Sequence, residues 1–154
     1  MMITAWRLVR AAFEASAFEG LGARDFPGRW NLEGLRMVYT AEAASLAVLE
    51  VLIGLNRQGF QDDFVLIPVR LDEAIVEALP ADSLPADWKA IPAPRSTRKL
   101  GSSWVRGRRS AALAVPSAVL PLETVYLLNP DHPDFASVEI GRPMPFSFDP
   151  RLRR

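Results

Sequence analysis

Three side chains with the means to do chemistry fall close together in residues 24–53, RDFPGRWNLEGLRMVYTAEAASLAVLEVLI: a guanidinium at Arg29, a phenol at Tyr39 and a carboxylate at Glu50. A helix is expected to begin after Tyr39, with Thr40 as N-cap, Glu42 in the first turn and helix formers to about Asn56, before Gly59 as a stop signal. On that helix Leu46, Glu50 and Ile53 fall at i, i+4 and i+7, which puts the carboxylate on the apolar stripe. An ionised carboxylate buried without partners is strongly disfavoured, so a Glu at such a position either pairs with a cation or lines a cavity. Both readings stand at this level, a structural Glu–Arg pair or a shared cleft. The preceding FEGLGARDFPGRWN carries Gly20, Gly22 and Gly28 with Pro27 and reads as a shaped loop. At Gly28 and Arg29 such a loop lets backbone and guanidinium approach a ligand.

The elements that must hold these groups follow from the pattern of the chain. Residues 3–9 read as a first strand, in which Arg7 points to the face opposite Trp6 and Leu8, ending either in solvent or in the cleft. Residues 11–19 are weakly helix-like, and 36–41 form a short strand with Tyr39 near its end. Residues 64–71 form another strand, in which Pro68 points to an edge or a bulge. Asp72 caps a helix DEAIVEAL that Pro80 stops. Four prolines make 80–95 an extended connector. Residues 95–109 hold the only basic cluster, with Leu100 and Trp104 at helical spacing, and read as a solvated helix face with those two packed inward; a nucleic-acid patch is the rival reading. The nearly unbroken apolar runs 111–117 and 124–129 read as central strands, SVEIG and PFSF as short terminal strands, and RLRR as a frayed tail.

Ser117 stands directly after Pro116 at a strand end, where a hydroxyl meets a cleft. The single histidine, His132, lies in a turn-like NPDHPDF segment, and there is no G-x-S-x-G elbow, so Ser117 is better suited to orienting a partner by a hydrogen bond than to attack.

At 154 residues the length is that of one domain, 1–154, of mixed α+β class. Eighteen basic and eighteen acidic residues cancel, which removes any global pull toward nucleic acid or anionic membrane. No cysteine and one histidine argue against a disulfide framework, a thiolate nucleophile or a zinc centre, and no metal is assigned. MMITAWRLVR has no apolar core long enough for a signal peptide, and prolines interrupt the longest apolar region, 111–128, so a soluble cytoplasmic protein is expected.

In order and spacing, GARDFPGRWNLEG, MVYTAEAASLAVLEVL and LAVPSAVLPLETVYLLNPDHPDF resemble the RES domain, named for an arginine, a glutamate and a serine. The resemblance runs from Trp6–Arg7 to the NPDHPDF segment. It implies an ADP-ribosyltransferase-like fold, a central sheet with helices around it, and the toxin of an Xre–RES toxin–antitoxin module that consumes NAD or transfers ADP-ribose to a protein. The family arginine maps to Arg29, the glutamate to Glu50, the serine to Ser117 and the YTA tyrosine to Tyr39. The resemblance thus implies catalytic roles for Glu50, Arg29 and Ser117 and contacts to NAD from Arg29, Tyr39 and Ser117, with no cofactor beyond NAD as substrate; Gly28 and Arg7 join the candidate NAD contacts from their own places in the loop and the first strand. A guanidinium fork suits a pyrophosphate, a phenol ring suits a flat nicotinamide, and a fixed carboxylate suits the oxocarbenium-like state of nicotinamide–ribose cleavage. The partners it implies are NAD, a cognate Xre-type antitoxin and, as an option, a second copy of the chain, with nucleic acid reached only through the antitoxin.

Overall fold

β-Branched and aromatic residues in the first segment favour an extended chain, and β1 (Met2–Arg10) pairs along its whole length with β3 (Phe64–Asp72), from Met2 opposite Asp72 to Arg10 opposite Phe64. The structure, a computed structural model, describes residues 1–153. The other strands are β2 (Val38–Ala41), β4 (Val76–Ala78), β5 (Ala112–Pro116), β6 (Thr124–Leu128), β7 (Glu139–Ile140) and β8 (Met144–Phe146), and a short helix, α1 (Leu21–Asp25), precedes β2. They form one eight-stranded sheet in the order β4-β5-β6-β2-β1-β3-β7, with β8 also on β3. All pairings are antiparallel except β4 with β5, whose connection contains α3 (Arg95–Gly107). The mixed α/β architecture with a central sheet is as expected, and both apolar runs near the C-terminus are interior strands, β5 between β4 and β6, and β6 between β5 and β2.

The period of two along the strands divides the core into two faces. Leu8, Ala41, Leu113, Val115, Val125 and Leu127 point to one, where α2 (Ala44–Leu52) adds Leu46 and Ala47, and α3 adds Trp104 and Val105. Ala5, Val38, Val69, Leu71, Ala112 and Leu128 point to the other, against Phe18, Phe135 and Val138. Leu100 and Trp104 turn inward as expected, and Arg95, Lys99 and Arg106 stay exposed.

Several boundaries differ from the sequence expectation, each because pairing across the sheet outweighs a local signal. Thr40 does not cap the helix: it is a buried β2 residue opposite Tyr126, and its hydroxyl donates to the Tyr126 carbonyl. The helix therefore starts at Ala44 without a side-chain cap and stops at Leu52 rather than near Asn56. Ile53 is 63% exposed, so it does not continue the stripe of Leu46 and Glu50. Asp72 does cap, accepting from the Ala74 N–H, but the turn is a 3-10 segment (Glu73–Ile75) rather than a helix, and Val76 then pairs with Ala112. Residues 11–16 are likewise 3-10. Pro68 sits inside β3 rather than on an edge strand, between the stretch paired to β8 (64–66) and the stretch paired to β7 (69–70), where no ladder donor is required of it. At the C-terminus, Pro150–Leu152 form a capped 3-10 turn with Arg151 paired to Asp149, in place of the frayed tail expected; Arg154 lies outside the described residues.

Helix α3 lies so close to residues 28–32 that a side chain at Gly101 would run into the Trp30 carbonyl oxygen. Overpacking usually costs about 1–3 kcal/mol, and here the obstacle is backbone rather than a rotatable side chain, so Gly101→Ala should reach at least the upper part of that range. Urea unfolding measures it; a Gly101→Ala protein as stable as wild type would mean that the helix and loop are not in this contact.

Candidate active site

β1 and β2 are in register at one pair, Trp6 opposite Ala41. The guanidinium of the next residue, Arg7, reaches into the region between the strands, donating from Nε to the Ala17 carbonyl at 2.6 Å and from Nη1 to the Tyr39 carbonyl at 3.0 Å. A side chain thus supplies a donor to the β2 backbone where the neighbouring strand does not. No carboxylate among the described residues pairs with Arg7, and loss of hydration lowers its pKa to about 10. Of the two destinations open to it in the sequence, it takes the cleft.

A cavity of about 360 Å³ lies here, and all six residues singled out from the sequence line it: Arg7, Gly28, Arg29, Tyr39, Glu50 and Ser117. Glu50 projects from α2. Its Oε1 accepts a 2.6 Å hydrogen bond from the Ser117 hydroxyl, and the same hydroxyl oxygen accepts from the Leu120 N–H at 3.1 Å. Ser117 is 1% exposed, so its proton is committed to the carboxylate and its lone pair to the backbone. The serine therefore fixes the carboxylate, whose Oε2 receives no donor among the described residues.

Arg29 makes no ion pair with Glu50, so the structural-pair reading does not hold in this structure. Its Nη1 donates instead to the carbonyls of Trp88 (2.9 Å) and Ala90 (2.8 Å) on the proline-rich connector. That segment showed no functional signal in the sequence, yet it orients a cavity cation while leaving its charge unneutralised.

The loop carrying Arg29 is held by one of its own side chains and by others from β2 and α3. Asn31 Oδ1 accepts from the Gly28 N–H at 3.0 Å, and the Tyr39 hydroxyl accepts from the Trp30 N–H at 3.0 Å and donates to Asn31 Oδ1 at 2.6 Å. From α3, Thr97 donates to the Arg29 carbonyl, Ser102 accepts from the Leu32 N–H and Arg98 donates to the Gly28 carbonyl. Gly28 must lack a side chain because a Cβ would stand 2.6 Å from the Tyr39 hydroxyl oxygen. Burial pushes the Tyr39 pKa well above its ordinary value; the Trp30 hydrogen bond and the charges of Arg98 and Arg29 oppose that rise, and Glu50 adds to it. The phenol is thus a neutral strut whose ring lines the cavity. Sequence reasoning passed over Asn31, Thr97, Arg98 and Ser102. Asn31, directly after Trp30 in a Gly/Pro-rich loop, is a residue type whose side chain often binds nearby backbone and could have been found; the α3 contacts span 68 to 70 residues and had no local signal.

The RES domain family model matches residues 4–149. The chain is 34% identical to a protein of Yersinia enterocolitica named Toxin Res, over 96% of this chain and 98% of that one. It is 37% identical to a Toxin Res of Photorhabdus laumondii, over 96% and 95%. It is 35% identical to a Sphingobium protein named Prs ADP-ribosylating toxin, over 100% and 99%. Among solved structures, a chain of the MbcT–MbcA toxin–antitoxin complex of M. tuberculosis has a similar fold, with a TM-score of 0.79 at 17% identity over 96% of this chain and 85% of that one.

The buried phenol makes a testable pH signature. Above its ordinary pKa of 10.0, Tyr39 keeps its proton in the folded chain and loses it in the unfolded one, so its contribution to stability falls as pH rises through that value. Arg7, with its folded pKa of about 10 below the ordinary 12.5, acts in the opposite sense over the same range and is common to both proteins compared. Near neutral pH, Tyr39→Phe should lower unfolding free energy by about 1–3 kcal/mol, because the Trp30 N–H loses its partner. That gap should narrow above about pH 10 in urea titrations. Parallel pH curves for the two proteins would remove Tyr39 as the source.

Proposed function

This chain belongs to the RES domain family, and from that premise we propose that it is the NAD-consuming toxin of a toxin–antitoxin system, cleaving the bond between nicotinamide and ribose. One observation carries the reading. A carboxylate fixed by a buried serine shares a cavity with two guanidiniums that no carboxylate among the described residues neutralises. Ordinary structural ion pairing would have brought Glu50 and Arg29 together; their separation leaves opposite charges for a ligand that itself carries both.

NAD has that character. Its pyrophosphate suits the free edges of Arg29 and Arg7, each already oriented through backbone carbonyls. Its nicotinamide suits the Tyr39 ring, whose hydroxyl is tied back to Trp30 and Asn31 so that the ring plane is set before binding. As the glycosidic bond lengthens, positive charge grows on the ribose, and Glu50 sits ready to stabilise it and to accept a ribose hydroxyl hydrogen bond. Nicotinamide leaves with the bonding electron pair, and an acceptor oxygen takes its place on the ribose carbon. Water or phosphate as acceptor makes the protein a glycohydrolase or phosphorylase. A second reading, transfer of ADP-ribose to a protein, is favoured by the relative named for such an activity, 35% identical over the whole chain.

A protein antitoxin of the Xre type is the partner this reading calls for. Three of the most exposed large apolar side chains stand on segments that build the cavity: Phe26 on its wall, Ile91 next to the Ala90 carbonyl that holds Arg29, and Leu122 in the loop after Ser117. An inhibitor covering the mouth would bury them.

Purified protein freed of its antitoxin should release nicotinamide from NAD, and Glu50→Gln should lower that rate about 100-fold or more, the usual effect of losing one transition-state interaction. Equal rates for the two proteins would end the catalytic reading. With NAD labelled in the adenosine half, label on a macromolecule identifies transfer, and label confined to small products identifies hydrolysis or phosphorolysis.

A further inference from the structure

A second cavity, of about 760 Å³, adjoins the first and shares with it Arg7, Leu8, Gly22, Phe26 and Val51. Neither Glu50 nor Ser117 reaches it, so the chemistry proposed above belongs to the smaller cavity. At about 360 Å³ that cavity is near the lower bound of roughly 300–1,000 Å³ typical for enclosing a single small ligand. It matches a nicotinamide nucleoside and leaves the second nucleoside of a dinucleotide to be housed elsewhere.

Resting on the NAD reading, we infer that the second cavity is the adenosine subsite, with Phe13 and Phe26 as the platform for the base. The wall shared by the two cavities holds Arg7, a cation with no carboxylate partner among the described residues, so the pyrophosphate joining the two nucleosides passes an unneutralised charge. The low pKa of Arg7 agrees, since an anion there restores the stabilisation that burial removed. The other charges of the second cavity are already satisfied: Arg10 pairs with Asp62 at 2.8 Å and Asp25 with Arg24 at 2.9 Å. What remains for a ligand is apolar wall and two rings left open to solvent, Phe13 at 58% and Phe26 at 83% exposed. A flat, uncharged purine suits such a surface, and stacking on aromatic rings does not require base-specific hydrogen bonds.

The test is calorimetric binding of ADP-ribose and of nicotinamide mononucleotide to wild type and Phe13→Ala, a substitution at an exposed position that lines only the second cavity. ADP-ribose affinity should fall about tenfold in the variant, while nicotinamide mononucleotide affinity stays unchanged. If wild type binds both ligands and the substitution does not weaken ADP-ribose, or both ligands weaken equally, the adenosine subsite is wrong and the NAD reading survives. If wild type binds neither ligand, the NAD reading itself fails and takes this inference with it. Unchanged ADP-ribose affinity together with lost transfer of label to a macromolecule would reassign the cavity to the acceptor.

Discussion

The backbone of residues 28–32 cannot satisfy its own polar groups, and the site depends on how other side chains do so. It lies in no helix or strand, yet it packs against α3 and under Tyr39. Buried N–H and C=O groups need partners, and here Asn31, Tyr39, Thr97, Arg98 and Ser102 provide them, from the loop itself, from β2 and from α3. A loop tied down in this way holds Arg29 with little conformational freedom left to lose on binding. The basic helix thereby acquires a role beyond the solvated face expected from its composition. Its inward face carries Thr97, Gly101 and Ser102 against the loop and Trp104 in the core, Arg98 reaches the Gly28 carbonyl, and Arg95, Lys99 and Arg106 occupy the outward side.

Electrostatics in the cavity follow the same logic of partners chosen from neutral groups. Arg29 is held by two carbonyls, Arg7 by two others and Glu50 by a hydroxyl. Carbonyl dipoles orient a guanidinium without cancelling its charge, and a serine hydroxyl does the same for a carboxylate. Had Arg29 and Glu50 paired, the fold would have been satisfied and the cavity nearly neutral. The structure keeps both charges available in one cavity, which Arg7, Tyr39 and Ser117 also line.

Much of this was readable from the chain. The β-branched and aromatic residues of 2–10 and 64–72 mark strands, and the unbroken apolar runs of β5 and β6 report burial directly, because interior strands are covered on both faces. The six site residues were also legible, from their chemical types and from the RES resemblance, and all six line one cavity. The errors came where a local signal met a long-range partner. Thr40 has the side chain of a helix cap, but β6 offered its backbone a ladder and its hydroxyl an acceptor at Tyr126, so the strand ran on and the helix began later. Val76 resembled helix interior until Ala112 was available to pair with it.

Sequence by itself determined which chemical groups the protein has to work with: one glutamate at a core-facing helical position, a guanidinium in a glycine-rich loop, a phenol in a strand, a lone serine after a proline, and no thiol. Tertiary structure alone decided what each group touches. Ser117 meets Glu50 across 67 residues, and Arg29 finds its carbonyls 59 and 61 residues away on a segment whose own composition says only that it is extended. The physical reason is range. Residue type and spacing encode propensity and facing within an element, whereas hydrogen-bond partners of a buried side chain are set by the packing of elements far apart in the chain.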